Sequence, residues 1–591
     1  MVPHPSTGFR ITVESDGLQV NFCKNPVCPN FGNPASTEKQ SRGRYTKPRE
    51  DTYIVTGTEH KFGLLCGRCG DNPPFKSNLA IREEMERMSD YLTPAKEPSC
   101  PKESCDNYLV DITTPKAYYS FGKTKFGSQR YRCRLCNTTF AVSSRPTLRQ
   151  RLPDANETVF RLLVNKMPLK RICETANINM VTLYRKIDFI HKQCLSFAAS
   201  HERRLPEMNI PRLYLAVDRQ NYIINWSNAG DKRNILLNAL GTADNATSYV
   251  FGIHVNYDAV IDAKSVERDA DRIGDNSLRP PFRRYARVWL AKDYLTSIGT
   301  NQARRAKKKS RLRDSIEDGY TEAVAREDVE NPDFQTADTS LPFNGMLVHS
   351  DYTLYGHFFF LRSLLANVGK IRFFLDQESG IRAACLSAFW REVLEKRCDA
   401  FYVRVNKDLT INQKRTLKAK GNKELADFRA ANPAYEQMTN HELRLIVIKE
   451  RLRELVDMGK WHDRWLFYPF PDMSEPEKAI CWLTDLHDRA YDDDHLARLY
   501  SKATLHGIDR FFMQARRRLS LLERPIATPS SEGRKWHGYS PYNPAMVGKL
   551  LDIFRVFYNY VEAGDDKKTP AVRIGLVEKP ASLNEILANY C

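Results

Sequence analysis

The sequence predicts a multidomain protein in which two small cysteine-rich modules and a helical segment precede an α/β core that carries an all-α insertion. Three observations lead to this prediction. The chain has 591 residues, which corresponds to about four domains of ordinary size. Eight of its 14 cysteines lie within the first 136 residues. From Arg212 onward, the apolar residues change from a helical period to a strand-like pattern.

The net charge restricts the class of partner. Lys and Arg number 90 against 72 Asp and Glu, a formal charge of +18 that favours a polyanion, with nucleic acid as the leading candidate. No stretch approaches the roughly 18 apolar residues that a membrane span needs. The first 20 residues lack the order of a signal peptide. We therefore expect a cytoplasmic protein in a reducing compartment, without a membrane partner.

The clustered cysteines form an internal repeat. A pair five residues apart is followed by a Cys-x-x-Cys pair, once in residues 1–92 and again in residues 93–150. Four soft ligands on two short loops suit a tetrahedral zinc ion, whereas a disulfide framework needs an oxidising compartment. We therefore predict two zinc ribbons, each with a structural zinc ion. Their ligand sets are Cys23, Cys28, Cys66 and Cys69, and Cys100, Cys105, Cys133 and Cys136.

The second module also carries a basic hairpin between Tyr118 and Val142. Basic residues are interleaved there with Tyr and Phe, a pattern that suits contact with the phosphates of nucleic acid. The residues predicted to make this contact are Lys123, Lys125, Arg130 and Arg132.

Residues 151–205 predict a helix-turn-helix. Apolar residues recur at helical spacing in three short bursts, and residues 177–179 supply a turn before the last one. The last helix would be the recognition helix, with Thr182, Tyr184, Arg185 and Lys186 on or near its exposed face. A plain helical connector between domains is the alternative interpretation, but the surrounding basic residues favour DNA.

Residues 206–407 predict an α/β core. Three consecutive strand-like segments begin at Arg212, and a short apolar strand, a helix and another strand follow from Lys370 onward. This is the element order of an RNase H-like fold, in which the first and fourth strands lie side by side. Asp218 closes the apolar part of the first strand, and Asp376 ends the fourth. We therefore expect these two carboxylates to be neighbours.

Two-metal phosphodiester chemistry needs a third acid beside the two strand-end carboxylates. The candidate is Asp509, which stands at the start of a basic helix that includes Arg516 and Arg517. These two arginines are predicted to contact DNA.

Other acids compete for these positions. Asp351 also ends an apolar run and is the alternative to Asp376. Glu523 is the nearest glutamate after the third candidate. Glu378 lies beside the site and could assist it, but the interpretation as an exposed acid of a turn is favoured.

In its order of ribbons, helix-turn-helix, core and terminal segment, the chain resembles the DDE transposases of bacterial insertion sequences. The resemblance rests on the hairpin before Cys133, the helix that follows Asp509 and the closing segment FRVFYNYVEAGDDKKTPAVRIGLVEKP. It implies cleavage of transposon-end DNA and its transfer to target DNA, with two Mg²⁺ or Mn²⁺ ions on Asp218, Asp376 and Asp509. The family usually has Glu in place of Asp509.

The same resemblance implies a homodimer or larger homo-oligomer on DNA, in the cytoplasm at the bacterial nucleoid. Two alternatives stay open. One is a catalytically inactive, transposase-derived protein that binds specific DNA sequences, and the other is a nuclease without a joining step.

Two insertions interrupt the predicted core. The first, about 262–342, contains Arg304–Arg313, in which seven of ten residues are basic, and is predicted to be a surface excursion that contacts phosphates or is merely solvated. The second, 408–500, is predicted to be helical from its apolar spacing, with Trp461, Trp465 and Trp482 as core anchors. Residues 501–591 would supply the last core helix and a C-terminal segment.

Overall fold

The computed structural model of the protein describes residues 9–38, 51–56, 62–94, 98–125, 127–142, 146–147, 150–301, 312–313, 316–317, 339–378, 380–406, 409–459, 462–485, 491–523 and 540–589. The chain divides into two compact units. The first consists of Met1–Met88, Pro206–Gln514 and Arg524–Gly548, and the second of Ser89–Leu205, Ala515–Glu523 and Lys549–Cys591. Within the described ranges, no helix is both long and apolar enough to cross a membrane.

The strands in chain order are β1 Tyr53–Thr56, β2 Gly63–Cys66, β3 Tyr118–Lys123, β4 Gln129–Cys133, β5 Thr139–Val142, β6 Arg212–Ile224, β7 Ile235–Asp244, β8 Val250–Val255, β9 Tyr257–Asp258, β10 Met346–Leu347, β11 Lys370–Asp376, β12 Cys398–Val405, β13 Val456–Met458, β14 Asp463–Phe467 and β15 Lys478–Trp482. The α-helices are α1 Asn78–Ser89, α2 Ala155–Leu163, α3 Leu169–Ala176, α4 Met180–Glu202, α5 Ala263–Ile273, α6 Ala291–Asn301, α7 Ser350–Leu364, α8 Ile381–Ala388, α9 Trp390–Leu394, α10 Ile411–Ala431, α11 Asn440–Arg451, α12 Asp493–Lys502, α13 His506–Arg518, α14 Ala545–Val556, α15 Pro570–Arg573 and α16 Leu583–Leu587.

The first unit is organised around an eight-stranded mixed sheet with the strand order β13-β14-β15-β12-β11-β6-β7-β8. Strands β6, β11 and β12 run parallel, and the other pairs are antiparallel. Strand β12 is buried over nearly its whole length, as expected for a parallel strand covered on both faces. The carboxyl ends of β11 and β12 therefore lie at one edge, beside the middle of β6.

Helix α13 packs directly on β7 at a glycine. A Cβ atom on Gly241 would lie 2.6 Å from Cδ1 of Ile508 and 3.2 Å from the ring of Phe512. A larger residue at position 241 would therefore push the helix away from the sheet. The start of the helix is also tied down, because the N–H of Gly507 donates to the Asn245 side chain at 3.0 Å.

The prediction of an all-α insertion over 408–500 is wrong. Helices α10, α11 and α12 are present, but β13, β14 and β15 lie between them and extend the sheet beyond β12. These strands have only three to five residues, too few for an alternating pattern to stand out from the helical one. Trp465 is fully buried in β14, as predicted for a core anchor, and Trp482 ends β15. Trp461 lies outside the described residues.

The second unit combines the β3-β4-β5 sheet with helices α2, α3 and α4 and the last part of the chain. Helix α16 packs against α2 and α4. A buried ion pair joins Arg555 Nη1 to Glu202 Oε1 at 2.7 Å, with side chains 3% and 0% exposed. The segment predicted as 501–591 is thus divided, since Lys549–Cys591 belongs to this unit.

Most of the basic run Arg304–Arg313 lies outside the described residues. Continuous description of the first insertion begins again at residue 339. Residues 524–539 lie outside the described residues as well. Helices α5 and α6 occupy the part of the insertion before that run.

Candidate metal centres and nucleic-acid surface

Each predicted set of four cysteines converges on one point. The four sulfurs of each set lie within 4.8 Å of one another. In the first module, the sulfurs of Cys23 and Cys69 are 3.4 Å apart and those of Cys28 and Cys66 are 3.7 Å apart. Tetrahedral zinc with Zn–S bonds of about 2.3 Å requires sulfurs about 3.8 Å apart. The first cysteine set therefore fits zinc.

The second module repeats this geometry. The Cys100 and Cys136 sulfurs are 3.3 Å apart, and those of Cys105 and Cys133 are 3.8 Å apart. All four are free thiols. Hydrogen bonds with Thr138 lower the pKa of Cys136 to about 6, which favours the thiolate that binds metal.

The two modules also share the groups that hold the ligands. Asn30 donates to the Cys66 sulfur at 3.1 Å, and Asn107 donates to the Cys133 sulfur at 3.3 Å. These asparagines follow the second cysteine of each module by two residues.

A tyrosine completes the repeat. The N–H of Cys23 donates to the Tyr53 hydroxyl at 3.0 Å, and the N–H of Cys100 donates to the Tyr118 hydroxyl at 2.9 Å. Each hydroxyl donates in turn to backbone carbonyls of its own module. Tyr53 pairs with Cys66 across its hairpin, as Tyr118 pairs with Cys133. The cysteine spacing alone did not predict these tyrosines, although each begins the strand opposite a Cys-x-x-Cys pair.

A third group of possible metal ligands consists of carboxylates. Oxygens of Asp218, Asp376 and Glu378 lie within 4.8 Å of one another. The register explains the first two, because β6 and β11 are parallel and pair Val217 with Leu375, so that the next residue of each strand is an aspartate. Glu378 joins them through a turn in which its N–H donates to the Asp376 carbonyl at 2.8 Å.

Arg219 lies against this acidic group. Arg219 Nε contacts Glu378 Oε2 at 2.9 Å, and the Arg219 N–H donates to Asp218 Oδ1 at 2.7 Å. Asp218 is only 5% exposed. Three carboxylates this close together repel one another, so the group suits a divalent cation with hard oxygen ligands.

The other predicted acids lie elsewhere. Asp509 is not among the three carboxylates, but it follows Ile508, which packs on Gly241, the cross-strand partner of Asp218. Asp351 is buried in the first turn of α7 and pairs with Lys76 at 2.5 Å.

Glu523 forms an exposed ion pair with Lys166 of the second unit. Glu378, interpreted above as an exposed turn acid, is instead half-buried and belongs to the carboxylate group.

The basic hairpin of the second module presents aromatic rings flanked by arginines. The guanidinium carbons of Arg130 and Arg132 lie 5.1 and 5.5 Å from the centre of the Phe121 ring. Arg134 lies over Tyr119 at 5.6 Å. The predicted Lys123 and Lys125 are exposed near the hairpin's tip. Stacked arginines beside an exposed ring suit contact with phosphates and bases.

Helices α3 and α4 are joined by a three-residue turn in which Asn177 adopts a left-handed conformation, with φ 49°. Asn179 caps α4 by accepting from the Thr182 N–H at 2.8 Å. Tyr184 and Arg185 are exposed, and the Thr182 side chain is half-buried.

Lys186 is not on the exposed face predicted for it. It is 4% exposed, and its ammonium donates to Asn156 Oδ1 and to the Leu152 carbonyl, both at 2.7 Å. The helical period of the sequence predicted that Lys186 lies on the exposed face beside Arg185. It did not indicate that oxygen atoms of the preceding segment accept hydrogen bonds from the Lys186 ammonium. Lys186 therefore anchors α4 and is unavailable to a ligand.

Arg516 and Arg517 lie in the last turn of α13, where Arg517 is exposed and Arg516 half-buried. Compared with known proteins, the sequence matches no family model and none of the curated proteins.

Proposed function

We propose that the protein is a DNA transposase of the DDE type, which binds the ends of a mobile element, cleaves phosphodiester bonds there and joins the ends to target DNA. One observation carries the proposal: the carboxylates of Asp218 and Asp376, on adjacent parallel strands, converge with that of Glu378, two residues beyond the second strand. The strand order β8-β7-β6-β11-β12, antiparallel and then parallel, supports an RNase H-like core.

Mg²⁺ or Mn²⁺ would be held by these three carboxylates. When bound, such ions activate a water or a DNA 3′ hydroxyl and stabilise the leaving oxygen of an in-line displacement. The protein's own residues orient the ligand oxygens, since the Arg219 backbone fixes Asp218 and its side chain fixes Glu378. Asp509 stays a candidate for a further acid, because its helix begins beside the strand that neighbours Asp218.

DNA binding is proposed for the second unit. The hairpin residues Lys123, Lys125, Arg130 and Arg132 form one surface, and their charge suits phosphates. Helices α3 and α4 form a helix-turn-helix in this proposal, with Thr182, Tyr184 and Arg185 toward the DNA. Arg516 and Arg517 add positive charge at the end of α13.

A second candidate function is a catalytically inactive, sequence-specific DNA-binding protein derived from such an enzyme. The observation that favours it is the position of Asp509 outside the carboxylate group. Metal-dependent cleavage distinguishes the two candidates, and a joining assay separates the transposase from a nuclease that only cleaves.

The test uses a duplex that carries the DNA flanking the coding region, incubated with the zinc-loaded protein and Mg²⁺ or Mn²⁺. We expect cleavage at the element ends and joining to a target plasmid. Asp218→Asn and Asp376→Asn should abolish both steps and keep the affinity for the duplex, because they remove ligand charge and leave the second unit unchanged. Asp457→Asn, at an exposed site on β13, is the matched control and should retain activity. Wild-type cleavage by either site variant would refute the proposal.

A further inference from the structure

The first zinc module is joined to the sheet unit by a buried ion pair. Lys76 follows the module's Cys-x-x-Cys pair, and its ammonium lies 2.5 Å from Asp351 Oδ2 at the start of α7. Both side chains are only 3% exposed. Removing one partner of such a pair leaves an uncompensated buried charge, which strongly disfavours the original geometry.

The zinc knuckle itself holds Lys76 in place. The segment after Cys69 runs back along β2, with the Cys66 N–H donating to the Asp71 carbonyl at 2.6 Å and the Leu64 N–H donating to the Pro73 carbonyl at 2.9 Å. This return segment ends at Lys76. The position of the ammonium therefore depends on the fold that the four cysteines impose.

Two side chains of the module fix the Lys76 backbone. Its carbonyl accepts from the Thr12 hydroxyl at 2.7 Å and from the Asn21 amide at 3.1 Å. Its N–H donates to Asn21 Oδ1 at 2.9 Å. Lys76 thus belongs rigidly to the module, and only its ammonium reaches across to α7.

The other oxygen of Asp351 faces the turn that carries the acidic group. A Cβ on Gly380 would lie 2.8 Å from Asp351 Oδ1, and Gly380 is left-handed, with φ 83°. Gly380 comes two residues after Glu378 and is the N-cap of α8. Asp351 Oδ1 is buried without a hydrogen-bond partner among the described residues. Lys76 is therefore the group that fixes this carboxylate against the turn.

We propose that Lys76 is a positioning residue for the acidic site: the zinc-loaded first module holds Lys76 against Asp351, and this pair fixes the turn that carries Asp376 and Glu378. The first module is then a structural part of the metal site rather than a second DNA-binding ribbon. This inference rests on the proposed function, because it assumes that the carboxylates bind a divalent cation.

The test is a Mn²⁺ titration of the full-length, zinc-loaded protein, followed by electron paramagnetic resonance. Lys76→Met should weaken Mn²⁺ binding by about tenfold, the usual effect of losing a group that supports metal ligands. The reason is that the unpaired, buried Asp351 carboxylate must move, and Gly380 packs closely on it. The zinc content should stay at two ions, measured on the same sample.

Two further variants distinguish positioning from general instability. Lys76→Met combined with Asp351→Asn removes both charges and should restore much of the Mn²⁺ affinity, so that the two changes are not additive. Arg555→Met breaks the buried pair of the second unit. It should lower the thermal stability without changing the Mn²⁺ affinity.

The outcomes separate the two proposals. Wild-type Mn²⁺ affinity in folded Lys76→Met protein with two zinc ions overturns the positioning role and leaves the proposed function standing. Absence of Mn²⁺ binding at the carboxylates of the wild-type protein overturns the proposed function itself. If Lys76→Met does not fold, Asp351→Asn alone decides, with weaker Mn²⁺ binding supporting the inference and unchanged binding overturning it.

Discussion

The two cysteine modules share the same ligands and the same hydrogen bonds to those ligands, but they differ in their surface residues. Each has a Cys₄ set, an asparagine that donates to the first sulfur of the Cys-x-x-Cys pair, and a tyrosine that accepts from the first cysteine's N–H. The first module uses its outer surface to contact α7 through Lys76 and Asp351. The second extends a longer hairpin with exposed arginine and aromatic side chains. The repeat thus determines a frame that could hold a metal ion, while the two modules differ in the residues outside that frame.

The largest difference between the two modules is expected when one of them loses its zinc ion. Cys28→Ser and Cys105→Ser should each leave one zinc ion per chain, measured by elemental analysis, because three thiolates hold zinc much less tightly than four. Cys28→Ser should also lower the unfolding temperature of the sheet unit by about 5 °C or more, since several kcal/mol of support is lost. Cys105→Ser should leave that unit unchanged. An equal loss in the sheet unit from both variants would contradict the comparison.

The next effect concerns DNA affinity. Arg130→Ala with Arg132→Ala should weaken binding to duplex DNA by about tenfold and reduce the slope of log affinity against log salt by about 1–2, because phosphate contacts are lost. Arg68→Ala, an exposed arginine inside the Cys-x-x-Cys pair of the first module, is the control and should change neither quantity. Fluorescence anisotropy over a salt series measures both. Equal losses from the two modules would show that the first also binds DNA.

The smallest expected effect tests the tyrosine hydrogen bonds that the two modules share. Tyr53→Phe and Tyr118→Phe each remove a hydroxyl that accepts from a cysteine N–H and donates to carbonyls, at a cost of about 1–3 kcal/mol. The cost should be similar in the two modules, because the hydrogen bonds are the same. Hydrogen exchange at Cys23 and Cys100 reports it directly. A loss of protection in only one module would mean that the tyrosines are not equivalent.

The spacing of the cysteines along the sequence predicted both sets of four possible metal ligands. Cysteine ligands occur in pairs a few residues apart, so the sequence contains most of the geometry of each site. Asp218 and Asp376 were also predictable as neighbours, because each stands on an apolar strand and the element order implies that these strands are adjacent. The structure confirms their proximity within the carboxylate group.

Contacts between distant segments were not predictable. The sequence predicted Glu378 to be an exposed turn acid, because the arginine that forms an ion pair with it belongs to another strand. The sequence predicted Lys186 to be exposed, because the carbonyl that accepts its hydrogen bond lies 34 residues earlier. Lys76 and Asp351 are 275 residues apart, and periodicity in either segment carries no sign of the other.

The proposed function depends most on the carboxylate group, and direct measurement of Mn²⁺ binding tests that group best. Titration of the zinc-loaded protein, followed by electron paramagnetic resonance, should reveal bound Mn²⁺ that Asp376→Asn removes and Asp457→Asn retains. Binding that persists unchanged in Asp376→Asn, or its absence from the wild-type protein, would show that these carboxylates do not form a divalent-cation site.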